Sequence, residues 1–147
     1  MMEVVLLSVH VLAAVVFVGG SAVATSLFPR YAPTEPPEGG ERNPAVAAAL
    51  HRVSRGYAVA ALIVPLAGIV LAGVQGRMGE IWITLSMVLT AGAAVLLAAQ
   101  IVPRQRAALD SPGPVARLRT LAMLAGLYNL AWAVVVVLMI ARPGAEG

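Results

Sequence analysis

Cysteine is absent from this 147-residue chain, and so is lysine, since all ten basic residues are arginine. The first absence excludes disulfides, thiolate chemistry and cysteine-ligated metals. Aromatic residues make up only 5% and charged residues 12% of the chain, against roughly 25% charged in soluble domains. The chain therefore has no soluble basic domain with aromatics to stack bases, and despite a net charge of +3 no nucleic-acid partner is expected. The apolar runs contain no Asp or Glu for proton relay. Neither a Ser-His-acid set nor a phosphate-binding glycine loop is present, so the sequence does not point to an enzyme.

What the chain has instead is long charge-free runs. Val4–Pro29, Gly56–Gly76, Ile81–Pro103 and Thr120–Ala141 hold 26, 21, 23 and 22 residues without Asp, Glu, Arg or Lys. At ~1.5 Å per residue, each as a helix crosses a ~30 Å hydrocarbon core. Lipid-crossing strands would show alternating polarity and must close into a barrel, a pattern missing here. The expected fold is all-α, an integral membrane up-down four-helix bundle. It forms a single domain with spans at about 4–28, 57–75, 81–102 and 121–141. The lipid bilayer is its first partner.

Eight of the ten arginines (30, 42, 52, 55, 104, 106, 117 and 119) lie in or beside the first and third connections, and only Arg77 and Arg142 lie on the other side. Positive charge stays on the cytoplasmic side, which puts the N and C termini outside. Ala22-Val23-Ala24 resembles a signal-peptide cleavage site. The segment before it carries Glu3 and no basic residue, and its apolar run is too long, so the span is expected to stay uncleaved.

Residues 30–43 read as a Pro- and Gly-rich loop, followed by Asn43-Pro44 as a helix cap with Pro at the first helical position. Pro65, with Gly68 a turn later, predicts a bend in the second span. Pro103 is expected to end the third. His51, flanked by Arg52 and Arg55, is expected at headgroup level in contact with water. In the first span His10, Ala13, Ala14, Phe17, Gly20, Ser21, Ala24 and Thr25 share one stripe, and its small residues suit a face turned towards protein.

His10 lies about 9 Å below the outer end of its span. Ionisable groups at such depth are candidate sites because burying them is expensive. A neutral imidazole can hold haem iron or copper. Met87 and Met139, near the outer ends of the third and fourth spans, supply thioethers suited to Cu(I) or to His/Met haem ligation. Methionine also fills gaps in apolar cores with no ligand at all. Asn129, at mid-depth, is either a cofactor-binding group or interhelical glue.

The run His10–Gly20 (HVLAAVVFVGG) and then Leu27-Phe28-Pro29-Arg30 resemble the first span of a superfamily of four-span bacterial membrane proteins. Arg52, Arg55 and Tyr57, then Pro65, Gly68, Trp82, Asn129 to Trp132 and Met139–Gly144 (MIARPG) continue the pattern. This superfamily includes the CopD-type copper-resistance domain, the HemJ-type protoporphyrinogen oxidase and several uncharacterised families. The resemblance implies a bacterial cytoplasmic-membrane protein with His10 in the place of the family histidine, a haem ligand in the HemJ type. HemJ-type proteins also use a lysine four residues after the third-span Trp. That position is Ser86 here, so the resemblance implies an uncharacterised branch without the oxidase activity. Two function classes follow: a protein binding haem b or copper through His10, or a non-catalytic accessory subunit packing as a homo-oligomer or in a membrane complex.

Overall fold

A computed structural model describes residues 1–74 and 76–145, except the side chains of residues 3, 6, 7, 64, 65, 67, 68, 71 and 72. The bend expected at Pro65 and Gly68 therefore falls on side chains outside the described residues. Helix α1 spans Met2–Tyr31, α2 Pro44–Val74, α3 Ile81–Val95, α4 Val102–Asp110 and α5 Val115–Ala141, with a π-helical segment Leu96–Ile101 joining α3 to α4. No strand occurs among the described residues. Three helical stretches of the described residues are long and apolar enough to cross a membrane: Ser8–Tyr31, Ile81–Asp110 and Val115–Ala141.

The helix starts and stops follow local chemistry. The Asn43 side-chain oxygen accepts the backbone N–H groups of Ala45 and Val46 at 3.1 and 3.3 Å, opening α2 with Pro44 at its first position as the sequence predicts. At the other side of that loop, Arg42 Nη1 donates to the carbonyls of Pro29 and Ala32 at 3.1 and 2.9 Å. A guanidinium there satisfies carbonyls that the end of α1 leaves open and complements the helix dipole. The 32–43 loop meets the short α4–α5 link, since Glu35 N donates to Gly113 O at 2.9 Å. The first and third connections thus sit at one end of the bundle. At the opposite end the Arg142 guanidinium lies 5.6 Å from the Trp82 ring, and Trp82 Nε1 donates to Glu80.

Pro103 does not end its helix, contrary to expectation. Helix continues through it to Asp110. A proline ring clashes with the carbonyl four residues earlier and provides no N–H. Here the π-helical turn precedes it, with Val102 N bonded to Leu97 O five residues back. The opened ladder lets the chain continue past Pro103, and the extra helical turns of α4 carry Gln105 and Ala108 into the core.

Among the described residues the interior mixes alanines and small polar side chains with a few large apolar ones, and much of the exterior is large and apolar. Buried positions on α2 are Ala47, His51, Ser54, Ala58 and Ala61, and on α5 Leu118, Leu121, Ala125, Tyr128, Trp132 and Val135. Both series alternate in steps of three and four, the spacing of a coiled-coil seam. Val59, Leu62, Val88, Leu130 and Val137 point outward and are exposed. Small residues inside and Val, Leu and Ile outside suit helices packed in lipid, where close approach takes the place of a hydrophobic drive. In water so large an apolar exterior would aggregate.

Candidate functional site

The α1 stripe is packed over only part of its length. Ser21, Ala24 and Thr25 are buried, and Ala14, Phe17 and Gly20 are half-buried. The expectation that this stripe faces protein fails at its outer members, because His10 and Ala13 are exposed. The reason lies in the helix as a whole. Ser8 through Ala13 are all exposed, which covers every face of the helix, so here α1 lies clear of the other described helices.

The last contacts before that point form an aromatic lock. Phe17 packs edge-on against Tyr57 of α2 and Trp132 of α5, with centroids 5.4 Å apart in each pair. Tyr57 reaches over Gly20 and its hydroxyl donates to Val16 O at 3.2 Å. A Cβ on Gly20 would stand 2.1 Å from that hydroxyl oxygen, so only glycine admits the crossing. One turn inward, Tyr128 donates to Ser21 Oγ at 2.8 Å, tying α5 to α1.

This lock fixes the register of the predicted site residues. His10 and Met139 each lie seven residues outward of Phe17 and Trp132, two turns along the same two stripes. By residue count each lies about 10 Å beyond the lock along its own helix. Met139 is exposed and Met87 half-buried. The Trp82–Arg142 contact brings the start of α3 to the end of α5. His10, Met139 and Met87 thus lie towards the terminal end of the bundle, on three different helices. His10 has no hydrogen-bond partner among the described residues.

Asn129 does not join them. Its Nδ2 donates to Ser26 Oγ of α1 at 2.9 Å, while its Oδ1 is buried without a partner. Ser26 lies 16 residues from His10, about 24 Å along the helix. The observed contact is the interhelical one.

The sequence reading missed the most polar cluster of the core. His51 is 7% exposed, not solvated as expected, and Ser54 and Gln105 are fully buried. Gln105 Nε2 donates to Ser54 Oγ at 3.2 Å, and Ser54 donates to Leu50 O at 3.0 Å. Gln105 Oε1 is then left as acceptor for the His51 Nδ1–H at 3.1 Å. Arg52 and Arg55 do point to solvent. The signal that finds His51 is its place on the Ala47–Ala58 stripe, not the charge of its neighbours.

Among the described residues no group of three or more His, Asp or Glu side chains gathers as a metal site. No family model, curated protein or solved structure matches the chain.

Proposed function

We propose that the chain is a multi-pass protein of the bacterial cytoplasmic membrane that binds haem b or copper through His10. In this reading the charge-free run of α2, Gly56–Gly76, is the fourth span. The arginine-rich end lies in the cytoplasm and both termini lie outside. The observation that carries the reading is the state of His10: an imidazole on an apolar helix, exposed and without a protein partner among the described residues. Left in acyl chains, such a group is costly, and a ligand would offset that cost. The residues fit the group in kind, because His10 offers nitrogen and Met139, towards the same end of the bundle, a soft thioether. A haem or Cu(I) held there would supply redox chemistry, while His10 and Met139 hold it and the surrounding Val and Leu side chains exclude water. Met87 would serve as a further thioether from α3. The resemblance to CopD- and HemJ-type proteins supports the same histidine. Ser86 in the lysine position argues against the oxidase chemistry.

Purified in detergent, wild-type protein is expected to give a reduced-minus-oxidised haem spectrum, or stoichiometric copper by metal analysis, with the signal lost in His10→Ala. Blank results for both proteins would overturn the proposal.

The exposure of every face of α1 from Ser8 to Ala13 favours a second reading. Here His10 meets a neighbouring membrane subunit or a second copy, and the protein is a non-catalytic accessory component. In that case His10→Ala changes the size of the complex in detergent and leaves the spectrum blank in both proteins.

A further inference from the structure

The arginine-rich end contains a cleft that neither reading uses. It lies between α4 and α5, has a volume of about 370 Å³, and is lined by Arg104, Ala107, Ala108, Arg117, Thr120 and Leu121. We propose that this cleft binds the phosphate group of an anionic glycerophospholipid, with Arg104 and Arg117 as its two cationic walls.

Charge is the first support. The ion pairs at this end join Arg30 to Glu41 and Arg106 to Asp110. Among the described residues neither Arg104 nor Arg117 pairs with a carboxylate, so both keep full charge for an incoming anion. Both arginines are exposed. Arg104 Nη2 donates to Gln100 Oε1 at 3.1 Å. Arg117 lies folded against Gly113, where an added Cβ would stand 2.8 Å from Nη1. A guanidinium offers a planar fork of donors that matches two phosphate oxygens, so two forks on one cleft suit phosphate better than a single charge.

Depth is the second support. Arg104 immediately follows the charge-free run that ends at Pro103, and Arg117 precedes the one beginning at Thr120 by three residues. Both therefore stand at the boundary between the apolar helix surface and water, where lipid phosphates lie. Ala108 and Leu121 form a buried apolar wall beside the arginines. A diester carrying acyl chains meets charge and grease together there, which free phosphate would not. Basic pockets between helices at this depth are a recurring form of lipid headgroup recognition.

This inference rests on the membrane reading but not on His10, and the test separates the two. Wild-type protein in a neutral detergent is titrated with phosphatidylglycerol or phosphatidylcholine, and bound lipid is counted by native mass spectrometry alongside thermal unfolding. Phosphatidylglycerol is expected to bind at least about tenfold more tightly than phosphatidylcholine. That preference is expected to vanish in the Arg104→Gln/Arg117→Gln protein and to persist in Arg52→Gln/Arg55→Gln, which removes equal charge elsewhere. Equal binding of the two lipids, or equal loss in both double variants, would overturn the site. Millimolar inorganic phosphate that displaces the lipid and stabilises as well as it does would overturn the lipid as the ligand. Should the first double variant not fold, the lipid preference of wild type and the partial losses in the single variants decide. Protein that alkaline carbonate washes off membranes, yet still prefers phosphatidylglycerol, would sink the membrane reading and leave the site standing.

Discussion

Helix α1 shows in one element how differently the two ends of this bundle are made. Towards the loop end Phe28 and Ala32 are fully buried, Arg42 closes the helix, and Phe28 packs beside the buried His51 with ring centroids 6.5 Å apart. Towards its start Ser8 to Ala13 are exposed on every face. The boundary is the Phe17–Tyr57–Trp132 lock. The difference indicates that folding is secured at the arginine-rich end and around the lock. The outer turns of α1 are free to hold a ligand or a neighbour without upsetting the rest.

The comparison breaks most sharply at Phe28. Its replacement by Ala is expected to destabilise the protein by about 3–5 kcal/mol in detergent unfolding, through lost contacts and the cavity left behind. The same truncation at Leu12 should cost less than about 0.5 kcal/mol, and equal losses would abolish the distinction. Gln105→Leu strands the His51 Nδ1–H and removes the donor to Ser54 Oγ, with an expected cost of about 1–3 kcal/mol by the same measurement. Gly20→Ala should cost about 1–2 kcal/mol by pushing Tyr57 aside. Tyr57→Phe combined with it should recover part of that loss, because the clashing oxygen is gone. Asn129→Leu removes one interhelical hydrogen bond, worth about 0.6 kcal/mol in membranes. In protein stripped of haem and copper, His10→Ala should leave unfolding unchanged.

Much of this arrangement is legible in the residues. The charge-free runs mark helices, Asn43-Pro44 marks the start of α2, and the arginine distribution groups the two connections that the Glu35–Gly113 hydrogen bond brings together. Pro103 misleads because a local rule cannot foresee the π-helical turn that accommodates it. His51 misleads because Arg52 and Arg55 suggest water, whereas His51 lies on the buried stripe of Ala47, Ser54 and Ala58 and both arginines are exposed. Gln105 is missed because it lies beyond the charge-free run, where the helix continues past Pro103 and carries it into the core. For the candidate site, that His10 and Met139 both lie beyond the lock follows from aromatic contacts that the sequence does not show. The stripe was legible as far as its direction, but where packing along it stops depends on the neighbouring helices.

The absence of cysteine makes the central claim directly measurable, because any introduced thiol is the only one in the chain. Glu38→Cys, Ser111→Cys and Gly79→Cys each place it at an exposed position, two at the loop end and one at the terminal end. In sealed vesicles of known orientation, a membrane-impermeant thiol reagent should reach the first two from the cytoplasmic face and the third only from the opposite face. Labelling of Glu38→Cys and Gly79→Cys from the same face would contradict a bundle that crosses the membrane.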